Sequence, residues 1–194
     1  VSSSKTRNMM FVAMYAAFLS ILAQVTIPLP LVPITGQTLA VGLFATIIGS
    51  RFSTYTILVY LALGTIGLPV FAGFTSGLGI LFGPTGGYLF GFIPAAFLTG
   101  YWLERNGFTN THAILANLLG MVITLGFGMA WLKFVTSISW NAAFMTGLMP
   151  FLPVGILKAI IAAYLGILIR KRLLSARLLP NTLQEKISKP ISCE

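Results

Sequence analysis

Six long apolar stretches divide this chain, and acidic residues are almost absent, with Glu104, Glu185 and Glu194 the only carboxylate side chains among 194 residues. Each stretch meets or approaches the roughly 20 residues that carry a helix across the hydrocarbon of a bilayer. Hydrophobic residues make up 57% of the chain and charged residues 8%, against about a quarter charged in soluble domains. Lipid is therefore the expected solvent, and the expected fold is an all-α integral membrane bundle. A carrier that couples transport to protons or sodium through side-chain carboxylates buries an acid as relay or ion ligand. No acid falls inside any of the six stretches, so the sequence argues against that class.

The spans are predicted at about 9–27, 35–49, 52–68, 86–103, 111–134 and 154–169. They form one six-helix membrane domain over 1–174, followed by a polar tail over 175–194 that is expected to fray. Pro28 ends the first span and Pro30 and Pro33 prevent an early restart. No small-residue cleavage site follows the first apolar run, which reads as a retained span. The second and third spans are short, which predicts tilt or cover by protein at one end.

Lysine and arginine are enriched in cytoplasmic loops. With the N-terminus inside, Lys5, Arg7, Arg51, Arg105, Arg170, Lys171, Arg172 and Arg177 fall on one side, and the opposite loops 28–34 and 69–85 carry no charge. Both termini are thus predicted in the cytoplasm. Lys133 and Lys158 remain, near the outer ends of the fifth and sixth spans.

A net charge of +9 raises nucleic acid as a partner, but the basic residues edge apolar runs and no RNA- or DNA-binding motif accompanies them. The lone Cys193 excludes an intramolecular disulfide and a cysteine metal cage. With one histidine, one cysteine and no acidic cluster, neither a metal site nor a nucleophile–base–orienter set can be assembled. No GxxxxGK[ST] loop occurs. The chain reads as a protein without enzyme activity of its own and without a cofactor.

Residues 67–91, GLPVFAGFTSGLGILFGPTGGYLFG, pack glycines 73, 77, 79, 83, 86 and 87 into a connection that is still apolar. Backbone outside a helix at membrane depth is tolerated where protein covers it or where it lines a cavity. One reading is a wall or lid of a binding pocket, with Pro84 and Thr85 starting and capping a helix that presents Gly86, Gly87 and Tyr88. The other is glycine-mediated helix packing.

Lys158 follows the run from Pro150 to Leu157, which places it about one turn inside the helix the prolines begin. Burying a cation costs about 2.5–3.5 kcal/mol on insertion scales, and no carboxylate is placed to pair with it. The positive pole of a helix N-terminus suits anions rather than a structural cation. An exogenous anion, such as a ligand carboxylate, resolves the conflict most simply; the competing reading is a lysine that snorkels to the outer interface. For Lys133 the snorkelling reading is preferred. Gln24, Gln37 and Asn117 either read a polar ligand or bridge helices, and singly each reads as a bridge. His112 reads as a cytoplasmic surface residue. Ala13 and Ala17 make a small-xxx-small step in the first helix, which serves either packing within the bundle or docking of another membrane protein.

The runs PLPLVPITGQTLAV (28–41), GLPVFAGFTSGLGILFGPTGGYLFGF (67–92) and PFLPVGILKA (150–159) closely resemble the BioY family, the biotin-binding membrane subunits of energy-coupling factor transporters. The resemblance covers roughly Lys5 to Leu174. It implies a six-helix subunit of a prokaryotic plasma membrane that captures biotin near the outer face, energised by a separate transmembrane coupling subunit and two cytoplasmic ATPases. By motif, Lys158 should meet the valerate carboxylate, residues 83–88 and Gln37 should help enclose the ligand, and Tyr88 of GGYL should form a wall. The first-helix alanines match the AxxxA type through which such subunits engage the coupling subunit.

One departure stands out. Many family members carry Pro-Gly-Asp three residues before this lysine, whereas this chain has Pro153, Val154 and Gly155. The ureido ring must then use Gln37, Asn117, Thr85 or backbone carbonyls, or the ligand is another vitamin or a biotin precursor. A self-sufficient biotin facilitator is the alternative of different class. The segment Pro28 to Gln37 is the expected lid.

Overall fold

A computed structural model describes residues 2–176 together with 178 and 179, with side chains from residue 5 onward. Glu185, Glu194, Cys193, Arg177 and the tail from 180 lie outside the described residues. Seven α-helices occur among the described residues: α1 (Ser2–Ala23), α2 (Gln37–Thr65), α3 (Leu78–Phe82), α4 (Gly86–Asn106), α5 (Asn110–Thr136), α6 (Trp140–Gly147) and α7 (Phe151–Ser175). A two-stranded antiparallel hairpin, β1 (Thr26–Ile27) and β2 (Ile34–Thr35), connects α1 to α2. The hairpin, α3 and α6 were not anticipated; they occupy connections that the sequence marks only by proline, glycine and moderate apolarity.

Four helices are long and apolar enough to cross a membrane: α1 from Lys5, α2, α5 and α7. Large apolar side chains face outward along them, among them Met9, Phe18, Ile21, Val122, Leu157 and Leu168. So much apolar surface is the pattern of a protein solvated by lipid.

The second and third predicted stretches form one helical run without the expected loop, so Arg51 sits on a helix. The run nevertheless changes direction at Gly49, whose φ of 76° and ψ of −175° are not helical. A side chain is strained at such a φ, which explains glycine there. The two helix ends created by the break need partners for their free backbone groups. Glu104 Oε1 of α4 accepts from Ser50 N at 2.7 Å and from Ser50 Oγ at 2.9 Å, capping the second segment. Arg170 Nη1 of α7 donates to the Ile47 carbonyl, closing the first. Arg170 is buried, with its guanidinium 3.5 Å from the centre of the Phe108 ring. The sequence shows it only as one of the basic residues on the predicted cytoplasmic side; the Ile47 carbonyl and the Phe108 face bury it within the bundle.

Helices α4 and α5 form an antiparallel pair joined at Gly107, whose φ of 93° permits the chain reversal. Glycines set their spacing: Tyr88 lies across Gly128, and Thr99 sits against Gly120 and donates to Ala116 O at 3.1 Å. Thr109 caps α5, accepting from His112 N at 3.3 Å. His112 itself is half-buried, with Nδ1 buried and unpartnered, rather than a plain surface residue.

The largest buried cluster joins α1, α2 and α4 through Tyr15, Leu19, Phe44, Ile48, Tyr60 and Phe92. The start of the tail docks rather than frays, since Leu179 is buried and its carbonyl accepts from Arg7 Nη2 at 3.2 Å.

Candidate ligand-binding site

Proline shapes the roof of the site. Pro28, Pro30 and Pro33 lack N–H donors, so the ladder is limited to Thr26↔Thr35 and Ile27↔Ile34 and the loop between arches away. Gly36 then passes close to the Leu22 carbonyl, too near for any Cβ, and donates to Val25 O at 2.8 Å. The glycine-rich connection is held down beside it by Gln24. Its Nε2 donates to Phe71 O at 3.1 Å and its Oε1 accepts from Phe74 N at 2.8 Å.

Beneath this roof lies a chamber of about 240 Å³. Val32 and Pro33 of the hairpin and Ala72 and Thr75 of the connection cover it, and Phe71, Tyr88, Phe92 and Phe151 wall it. A narrower space of about 50 Å³ lies deeper between α2, α4, α5 and α7, lined by Gly42, Thr99, Asn117, Thr124, Met121 and Gly155. Thr38, Leu125, Phe151 and Lys158 border both. The two spaces therefore meet at the lysine.

Lys158 stands seven residues after the start of α7, about two turns in rather than one, because the helix already begins at Phe151 and takes Pro153 into its first turn. Its ammonium donates to the Thr35 carbonyl at 2.6 Å and contacts Thr38 Oγ1 at 3.3 Å. It is thus hydrogen-bonded, but to neutral acceptors; among the described residues no carboxylate lines either space. An ammonium has three donors, so one remains for a guest. Thr35 and Thr38 escaped the sequence reading; their spacing on either side of Gln37 in PITGQT was the available signal.

Gln37 is buried and lines the chamber, with Nε2 donating to Tyr60 Oη at 2.5 Å and Oε1 accepting from Thr35 Oγ1 at 2.9 Å. Tyr60 Oη in turn donates to Val70 O at 3.1 Å, which ties hairpin, α2 and connection into one network. Tyr88 lines the chamber with its ring 5.8 Å from that of Phe151, while its hydroxyl donates to Gly147 O at 2.6 Å. Thr85 also lines the chamber and occupies the cap position of α4, yet its side chain makes no cap hydrogen bond and instead reaches Ile80 O at 3.5 Å.

Gly86 and Gly87 border neither space; they pack against Trp131, whose Nε1 donates to Gly83 O at 3.0 Å. Asn117 lies at the deeper space, apart from Gln37 and Thr85, with Nδ2 donating to Thr46 Oγ1 at 2.9 Å and Ala113 O at 2.8 Å. Gly155 faces the same space, where Met121 Sδ lies 2.6 Å from the position a Cβ would take. The thioether thus occupies the region into which an acid at this position would project.

Lys133 is not at the site; its Nζ sits 5.0 Å from the Phe134 ring centre and 5.5 Å from that of Trp140. Ala13 and Ala17 are exposed on the outer face of α1, whereas Ala16 and Leu19 turn inward. The alanine step therefore does not pack within this bundle.

The family model for the BioY family matches residues 1–175. A relative from Lactococcus lactis subsp. cremoris named biotin transporter BioY2 is 40% identical over 167 residues, covering 86% of this chain and 92% of the relative. The biotin transporter BioY of Rhizobium etli is 36% identical, covering 83% and 91% respectively. A crystal structure of the S-component for biotin from an ECF-type ABC transporter superposes with a TM-score of 0.81 at 27% identity, covering 88% of this chain and 94% of that one.

Proposed function

The chain belongs to the BioY family, and from that premise we propose that it captures biotin as the membrane-embedded substrate-binding subunit of an ECF-type transporter. It is a multi-pass protein of a prokaryotic plasma membrane and a transporter component rather than an enzyme. The observation that carries the reading is Lys158, a cation at the floor of a roofed apolar chamber with neutral partners only. A ligand carboxylate takes its third donor. The aromatic walls cover the ring and chain of the ligand, and Gln37 and Thr85 offer the polar contacts within the same chamber. Asn117 and Gly155, at the deeper space, bear on a ligand that extends past the lysine.

The membrane arrangement follows. Counting the two segments of α2 on either side of Gly49 separately, together with α1, α4, α5 and α7, gives six spans. The Lys and Arg distribution puts both termini in the cytoplasm, the hairpin outside, and Arg51 at the inner end. A coupling subunit docks on the exposed Ala13 and Ala17 face of α1, and two ATPases supply the energy.

Calorimetry of the purified chain with biotin, dethiobiotin, lipoate and thiamine tests the assignment. Tight binding of biotin without ATP is the expected result. Preference for another member of the panel would transfer the reading to that ligand, for which the absence of an acid at Gly155 is the specific reason. Biotin uptake into vesicles holding this chain alone would favour a self-sufficient facilitator.

A further inference from the structure

Outside the ligand chamber, a groove of about 770 Å³ runs between α1 and the second segment of α2. Its walls are apolar, formed by Met9, Val12, Phe52, Leu58 and Val59. Its polar groups are gathered at one end: Lys5 and Asn8 on the first turns of α1, Arg51 at the start of the second α2 segment, and Tyr55 one turn further. None of these four side chains has a hydrogen-bond or ion-pair partner among the described residues, and Lys5, Arg51 and Tyr55 are exposed.

The Glu104 carboxylate also borders this end, where one of its oxygens accepts from Ser50 N and Oγ and caps the helix start. Lys5 and Arg51 outnumber that single carboxylate, and with amide and phenol donors next to them they suit a phosphate diester. From Arg51 to Val59 the helix rises about 12 Å, and that length is walled by hydrocarbon.

We infer that this groove binds one anionic phospholipid, its phosphate at Lys5 and Arg51 and an acyl chain along α1 and α2. Basic pockets at the ends of membrane helices bind acidic headgroups by the same combination of charge and apolar cover. The groove also carries Ala13, so a coupling subunit seated on that face displaces the lipid. The lipid site itself does not depend on that docking or on biotin recognition.

Native mass spectrometry of the detergent-purified chain, titrated with phosphatidylglycerol and with phosphatidylcholine of the same acyl chains, tests the inference. One phosphatidylglycerol should be retained in preference to phosphatidylcholine, and free glycerol phosphate should not compete. Arg51→Ala should weaken retention about fivefold and Lys5→Ala with Arg51→Ala about thirtyfold, while Lys133→Ala, a cation away from the groove, should change nothing. Arg51→Lys keeps the charge and should keep the lipid, which separates loss of the site from loss of fold. Equal retention of the two lipids, competition by glycerol phosphate alone, or equal effects of Arg51→Ala and Lys133→Ala would overturn the site.

Discussion

One carboxylate oxygen of Glu104 accepts both the backbone N–H and the hydroxyl of Ser50, at 2.7 and 2.9 Å, across the gap between α4 and the broken helix α2. The first segment of that helix carries Gln37 and Thr38 at the chamber beneath the hairpin and the second borders the groove beside α1, so their relative angle sets both features. Glu104→Ala leaves a helix start uncapped. Hydrogen bonds to a charged group contribute about 1.5–3 kcal/mol, and a chain of this size loses about 2–4 °C in Tm for each kcal/mol. The variant should melt several degrees lower by light scattering in detergent, and Glu104→Gln, which keeps an acceptor, should lose less. Equal melting of all three proteins would remove the cap from the account.

Lys158→Ala should weaken biotin binding by about ten- to a hundredfold, the loss expected for one charge-assisted hydrogen bond. Lys133→Ala should leave binding unchanged, because its ammonium sits over Phe134 and Trp140. Calorimetry of both variants makes the comparison, and equal effects would count against a carboxylate at Lys158.

Gly155→Ala should change stability little, since Met121 Sδ, 2.6 Å from the new methyl, lies near the free end of a flexible side chain that can swing aside, and alanine gains about 1 kcal/mol over glycine in a helix interior. Combined with Met121→Ala, the double variant should be more stable than the two single effects add up to, because the methyl then meets no thioether. Melting temperatures of the two single variants and the double variant give the coupling, and strict additivity would show that the two side chains do not compete for that space.

Biotin should slow amide hydrogen exchange in residues 26–37. The hairpin's own ladder has two residue pairs, supplemented at its base by Gly36 N at Val25 O, Thr35 Oγ1 at Gln37 Oε1 and Lys158 at the Thr35 carbonyl, so exchange in the loop between the strands proceeds by local opening in the free protein. Mass-resolved exchange with and without biotin reads the effect, and identical rates would argue against a lid.

The membrane class and the position of most helices were legible because apolar length is a strong signal that survives without tertiary context. Lys158 was legible for a related reason: a cation in an apolar run has to be explained wherever the helix falls. The break inside α2 reads in the sequence as a loop between two spans, because the interruption at Gly49, Ser50 and Arg51 is visible there but the acid and base that satisfy it are not. Those partners, Glu104 and Arg170, lie 54 and 123 residues from the backbone groups they satisfy, and no local pattern reports such distances. Arg170 for the same reason shows in the sequence only as one of the basic residues on the predicted cytoplasmic side. Gly86 and Gly87 belong to a motif that marks the chamber, yet only the fold reveals that Trp131 lies against them while their neighbours Thr85 and Tyr88 face inward. Residue type announced the glycines; the direction each faces is a tertiary fact.

On the proposed reading the Lys158 ammonium is a three-way junction, tying the Thr35 peptide to α2 through Thr38 and keeping one N–H for the guest. Occupancy and closure would then reinforce one another by thermodynamic reciprocity: whatever holds the hairpin down would tighten the grip on the ligand, and a partner that drew Ile34–Thr35 aside would loosen it.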